Sequence, residues 1–225
     1  MSRERTSSRN SKRMPPTSSR AARGHLYVIS APSGAGKTSL VKALLARNPA
    51  LQVSISHTTR TPRVTEKDGR EYHFVSREAF EDLRRRGEFL EHAQVFDNLY
   101  GTGRETVERL LEAGTSVVLE IDWQGAQQVR KAMPESITIF ILPPSLAALR
   151  ERLQKRQTDS PEVIARRFGD AVGDVSHWSE FQYVVVNEDF ERAVSDLARI
   201  VAGRGEDLRA TRPGLDRFVE ALLAA

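Results

Sequence analysis

The segment SGAGKTS, residues 33–39, brings two glycines, a lysine and hydroxyls together at the spacing of a phosphate-binding loop. The full pattern is G-x-x-x-x-G-K-[ST]; Gly36, Lys37 and Thr38 fill its last three positions, and Ala31 stands where the first glycine belongs. A loop that leaves a strand and opens a helix aims successive backbone N–H groups and the helix dipole at an anion. Ser33, Gly34, Ala35, Gly36 and Ser39 are therefore candidate phosphate contacts. Lys37 is expected to reach the β- and γ-phosphates of a nucleotide, and the Thr38 hydroxyl to take a magnesium ion. Ala31 costs little, because Pro32 already biases it toward extended backbone. Taken alone, the loop suits GTPases, ATPases and small-molecule kinases equally.

Further groups add chemistry. Arg60 and Arg63 flank Pro62 in SISHTTRTPR (54–63), and each offers a planar donor fork for phosphate. Tyr72 and Tyr100 follow in the same region, each with one O–H to donate. Glu120 and Asp122 end the apolar run VVLEID. Strand alternation puts both on one face, at the strand end where ligands bind in such sheets. An acidic pair there can organise magnesium waters. The segment RLQKRQTDSPEVIARRF (152–168) is dense in arginine around a Ser160–Pro161 turn. It reads as a lid that brings cations to a transferring phosphoryl group and excludes water. Cysteine is absent, which removes disulfides and thiolate sites, and the five histidines are scattered without metal-ligand spacing.

These groups need a frame. LYVISA (26–31), SVVLEID (116–122), ITIFILP (137–143) and YVVVN (183–187) read as buried strands. Helical patterns follow at 37–46, 124–132, 145–156 and 189–203, with an amphipathic helix near 213–224. The alternation predicts an α/β fold with a central parallel sheet. Residues 56–102 break the rhythm: EYHFV and FLEHAQVF flank the charged helix SREAFEDLRRRG. That stretch is expected to be an inserted mixed α+β lobe with its own small antiparallel sheet. The division expected is a basic tail (1–23), a core (24–55, 103–144 and 176–225), the lobe (56–102) and a helical lid (145–175).

The formal charge of +4 misleads. Seven basic residues against Glu4 precede Gly24, so the rest of the chain is slightly acidic, and nucleic-acid binding by the folded body is not expected. Retention of RNA or DNA by the tail at modest salt is a separate idea. The tail is too polar to fold alone and lacks the apolar core of a secretory signal. It reads as a disordered extension of a cytoplasmic protein, in preference to a transit peptide, for which no amphipathic stripe is visible. No run is apolar enough to span a membrane.

The runs APSGAGKTSL, SHTTRTPR, FLEHAQVFDNLYGT, EIDWQGAQQVR, FILPP and VVVN occur in that order, and together they resemble guanylate kinase of the bacterial type over residues 24–203. The resemblance implies a three-layer P-loop kinase fold and the reaction ATP + GMP ⇌ ADP + GDP, with magnesium and with dGMP as a second acceptor, in purine nucleotide metabolism and GMP recycling. It puts the GMP phosphate on Arg60, Arg63, Tyr72 and Tyr100, and the guanine against Ser56, Glu91 and Thr102. Guanine presents N1–H and N2–H₂ side by side, which a carboxylate accepts together, and its O6 accepts from a hydroxyl. Glu120 and Asp122 would contact GMP, with Asp122 holding magnesium through water beside Thr38, and Gln124 acting less directly. The implied catalytic set is Lys37, Arg63, Arg156 and Arg167, with Arg152 assisting at the ATP phosphates and Asn187 and Glu188 at the adenine edge. The family more often shows Asp-x-Asp where Glu120 stands, and Gly where Gln157 stands. The rivals are a kinase of AMP or of ribose bisphosphates on the same fold, and a non-enzymatic interaction module related to the family. The latter typically lacks a working phosphate loop. A homo-oligomer is compatible with all of this.

Overall fold

The structure, a computed structural model, describes residues 22–95, 97–155 and 161–224. Residues 1–21 of the basic tail, Arg156, Gln157 and Ser160 lie outside the described residues. In chain order the elements are β1 (Leu26–Ser30), α1 (Lys37–Arg47), β2 (Leu51–Val53), β3 (His57–Thr58), β4 (His73–Phe74), α2 (Arg77–Arg85), β5 (Phe89–Val95), β6 (Asn98–Gly103) and α3 (Arg104–Glu112). They continue as β7 (Ser116–Glu120), α4 (Trp123–Ala132), β8 (Ile137–Leu142), α5 (Leu146–Gln154), α6 (Pro161–Val175), β9 (Tyr183–Val186), α7 (Phe190–Val201) and α8 (Leu215–Ala224). Among the described residues no helix is long and apolar enough to cross a membrane.

Five strands form one sheet in the order β2-β7-β1-β8-β9, and every pairing in it is parallel. Apart from β2 at the edge, its strands are buried on both faces. Leu26 and Val28 face the core under α3, α4 and α8, while Tyr27 and Ile29 face the core under α1, α5 and α7. Phe140 and Leu142 alternate with Ile139 and Ile141 in the same way. Two apolar faces demand two helical layers, and the expected three-layer fold results.

The inserted lobe holds a second sheet, β4-β3-β6-β5. It was expected to be antiparallel, and that expectation needs correction: β3 pairs with β4 in parallel, through His57 with His73 and Thr58 with Phe74. The chain between them, carrying the Arg60–Arg63 turn, returns across the sheet edge, so both strands run the same way. Strand β6 has no counterpart among the expected elements. Its glycines look like a turn, yet a Cβ on Gly101 would lie 2.9 Å from the Phe89 ring and 3.1 Å from that of Phe80. The glycine lets these two rings, the centre of the lobe's small core, close over the strand. Strand β7 ends at Glu120 rather than 122, because Asp122 already caps α4 by accepting from the Gly125 N–H at 2.8 Å.

Candidate active site

The carboxyl ends of β1, β7 and β9 meet on one side of the parallel sheet, the usual ligand edge of such folds. Between β1 and α1 the phosphate loop turns through Gly34 (φ +90°) and Gly36 (φ +95°), a left-handed backbone that favours glycine. Space forces the same choice: a Cβ on Gly34 would lie 3.1 Å from the Leu153 side chain, and one on Gly36 would lie 2.5 Å from Asn187 Nδ2. Asn187 is buried and donates to the Ala35 carbonyl at 2.7 Å. Arg152, on α5, donates to the Ala35 carbonyl at 3.4 Å and to the Asn187 carbonyl at 3.2 Å. Asn187, expected at the adenine edge, thus also clamps the phosphate loop. A cavity of about 370 Å³ opens over the loop, lined by Gly34, Gly36, Ser39, Arg152, Asn187, Glu188 and Phe190. Phe190 is 41% exposed at the start of α7, and no motif drew attention to it.

Lys37 leaves the first turn of α1 and donates from Nζ to the Ile121 carbonyl at 2.9 Å, which sets its ammonium at the end of β7. Desolvation pushes the ammonium below its usual range, while Glu120, Asp122, Glu91 and Asp174 pull it back. Among the described residues no three His, Asp or Glu converge into a metal cage. Hard oxygen donors near a phosphate loop, without a protein cage, fit Mg²⁺, which keeps most of its waters and takes phosphate oxygens. Thr38 offers an exposed hydroxyl, and Asp122 keeps Oδ2 available while Oδ1 caps α4. Asp174, on α6, accepts from Trp123 Nε1 at 3.0 Å, and the Trp123 ring stacks on His177 at 3.5 Å.

Across the cleft, three lobe residues form a hydrogen-bonded row. Thr102 donates to Glu91 Oε1 at 2.6 Å, and the hydroxyls of Ser56 and Thr102 lie 3.3 Å apart. Glu91 is 3% exposed. Burial raises its carboxyl to about 7, against the Thr102 hydroxyl, which lowers it. Gly125 makes the space, since a Cβ there would lie 2.6 Å from Glu91 Oε2. One turn further along α4, Gln128 satisfies both backbone groups of His92, accepting from its N–H at 3.1 Å and donating to its carbonyl at 2.7 Å. Gln124 is exposed, so Gln128 is the glutamine that reaches the lobe.

Beside this row, Tyr72 and Tyr100 pack edge to face at 5.9 Å, and the Arg60 guanidinium lies 5.5 Å from the Tyr72 ring centre. Burial, then Tyr100 and Glu120, raise the Tyr72 hydroxyl and keep it a donor. Arg60 is gripped by Glu66, a residue that sequence reasoning missed. Arg63 sits at the same turn with its side chain 70% exposed. Arg167 lies half-buried on α6. The fold therefore gathers Ser56, Glu91 and Thr102 in one row, Arg60, Tyr72 and Tyr100 in a second cluster, and Lys37, Glu120 and Asp122 between β1 and β7. Arg63 stays at the rim.

A family model described as guanylate kinase matches residues 23–204. The chain is 57% identical over 180 residues to the guanylate kinase of Thiobacillus denitrificans, covering 80% of this chain and 86% of that one. It is 55% identical to that of Chromohalobacter salexigens, over 91% of this chain and 93% of the other. The crystal structure of guanylate kinase from Anaplasma phagocytophilum superposes with a TM-score of 0.67 at 34% identity, covering 89% of this chain and 95% of that one.

Proposed function

The chain belongs to the guanylate kinase family, and from that premise we propose how its residues carry ATP-dependent phosphorylation of GMP to GDP. ATP phosphates rest on the N–H groups of residues 33–39 and on Lys37, with Arg152, Asn187 and Glu188 around the cavity above. GMP enters the lobe, its base on Ser56, Glu91 and Thr102 and its phosphate on Arg60, Arg63, Tyr72 and Tyr100. Glu120 and Asp122 stand between the two phosphates. The γ-phosphoryl group passes directly to a GMP phosphate oxygen. That oxygen is already anionic near neutral pH, with a second phosphate pKa of about 6, so no general base is needed. Mg²⁺, held through water by Asp122 and beside Thr38, would neutralise charge developing on the phosphates. Arg167, on the α6 part of the lid, is assigned to the transferring group, and so is Arg156, which lies outside the described residues. The α5 part of that lid is rooted in the core, with Leu149 and Leu153 fully buried.

The Ser56–Thr102–Glu91 row, with Thr102 and Glu91 buried, is the observation that carries the acceptor. Guanine N1–H and N2–H₂ would meet the Glu91 carboxylate, and O6 a hydroxyl. Adenine would set a lone pair against Glu91, and sites built on such bonds reject the wrong base by up to about 10⁴-fold. Guanine donors favour ionised Glu91, so binding would draw its carboxyl below the value set by burial. No assigned contact reads the ribose 2′-hydroxyl, so dGMP should also react. The reading extends to a cytoplasmic enzyme of purine nucleotide metabolism that recycles GMP, and it holds for a monomer or a homo-oligomer alike. The test is ADP release with GMP, dGMP, AMP and CMP. Turnover of GMP and dGMP far above the others is expected, and equal or better turnover of AMP would overturn the reading.

A further inference from the structure

The turn from residue 60 to 66 closes on one carboxylate. Both Glu66 oxygens accept from Arg60 Nη2, at 2.8 and 2.9 Å, and Oε2 also accepts from the Arg63 backbone N–H at 2.8 Å. Arg60 Nη1 donates to the Thr61 carbonyl at 2.8 Å. The guanidinium face lies over Tyr72 at 5.5 Å and Phe74 at 5.8 Å. This pair is unlike the chain's surface ion pairs. Its side chains are 18% and 10% exposed, against 68% and 50% for Arg85 and Asp82. Exposed pairs contribute little, whereas a desolvated pair leaves a stranded charge when either partner is lost. Desolvation opposes both charges, yet the contact outweighs it, raising Arg60 and lowering Glu66, so both stay ionised. Glu66 holds Nη2 and the Thr61 carbonyl takes one Nη1–H, so the five-donor fork keeps further N–H groups, next to the Tyr100 hydroxyl that it also meets. A guanidinium fixed along one edge and on its face presents those donors in one direction, with little rotamer freedom left to lose on binding.

We infer that Glu66 is a positioning residue for the acceptor phosphate. It orients Arg60 and fixes the Arg63 turn without touching the substrate. The inference rests on the proposed assignment of Arg60 to the GMP phosphate. Two ligands separate orientation of a phosphate donor from general support of the lobe: GMP, and guanosine, which lacks the phosphate. Calorimetric binding of both to the full chain and to Glu66→Gln, Glu66→Asp and Arg60→Met is the test, alongside steady-state kinetics. For Glu66→Gln, GMP affinity should fall about tenfold, the value of one charged hydrogen bond, with guanosine affinity within about twofold. The KM for GMP should rise with kcat and the KM for ATP nearly unchanged, and Glu66→Asp should recover part of the loss. Equal losses for GMP and guanosine in both Glu66 variants would make Glu66 a structural residue and overturn the inference. Unchanged or tighter GMP binding would overturn it too, marking Glu66 as a spectator or a competitor for the fork. If Arg60→Met instead leaves GMP affinity intact, the phosphate assignment itself fails, independently of Glu66.

Discussion

On the donor side, the phosphate loop is made of backbone: two glycines at φ near +90°, a row of N–H groups, and a carbonyl clamped by Asn187 and Arg152. On the acceptor side, the groups are side chains drawn from separate strands of a small mixed sheet, and they hold one another through Thr102–Glu91 and Arg60–Glu66. The difference separates two tasks. A backbone cradle recognises any polyphosphate, because every residue supplies the same N–H. A constellation of side chains recognises one base, because each atom must find its complement, and it depends on packing that begins far away in sequence.

The largest effect should come from the lysine whose side chain completes the backbone cradle on the donor side. Lys37→Met should lower kcat about 10²–10³-fold while GMP binding is kept, measured by turnover and by calorimetry. Full activity would break the comparison and revive a non-enzymatic reading. Next, Gly36→Ala sets a Cβ against Asn187 and a non-glycine residue at φ +95°. That strain costs roughly 1–3 kcal/mol, and the KM for ATP should rise about tenfold or more with the KM for GMP unmoved.

The acceptor side should answer to pH. Burial raises Glu91 from 4.5 to about 7 in the folded protein. The folded state then binds this proton more tightly than the unfolded chain. The group costs no stability at acid pH, and the cost of ionising it grows as pH rises from 4.5 through 7. Glu91→Gln removes that cost, so its Tm relative to the parent should climb between about pH 4.5 and 7 and level off above. A difference independent of pH would contradict the burial argument. The smallest effect is expected at the joint between the two sides. Gln128→Ala strands the backbone N–H and carbonyl of His92, at about 1–3 kcal/mol of stability, and should raise the KM for GMP a fewfold without touching ATP.

The same contrast decides what was legible in the sequence. The phosphate loop lies within seven consecutive residues, so its chemistry was readable from type and spacing alone. Four of the five parallel strands were readable because burial on both faces leaves continuous apolar runs, whereas β2, three residues long with two of them exposed, was not. The lobe was legible mainly through motif resemblance. Its β6 hides behind glycines that exist to admit Phe80 and Phe89, and β3 and β4 are too short to show direction. Glu66 and Gln128 left no local signal, since one is a charged loop residue and the other a helix residue until the fold brings Arg60 and His92 to them. Asn187 was singled out by its position after β9, but its bond to the Ala35 carbonyl, which clamps the phosphate loop, left no signal in the sequence.

The claim that side chains of the lobe, rather than the phosphate loop, choose the acceptor is tested most directly by kcat/KM for GMP and for AMP in the parent chain and in Glu91→Gln. The account predicts that the GMP preference falls by at least about tenfold, through the GMP term, while the KM for ATP stays the same. An unchanged GMP-to-AMP ratio would contradict it.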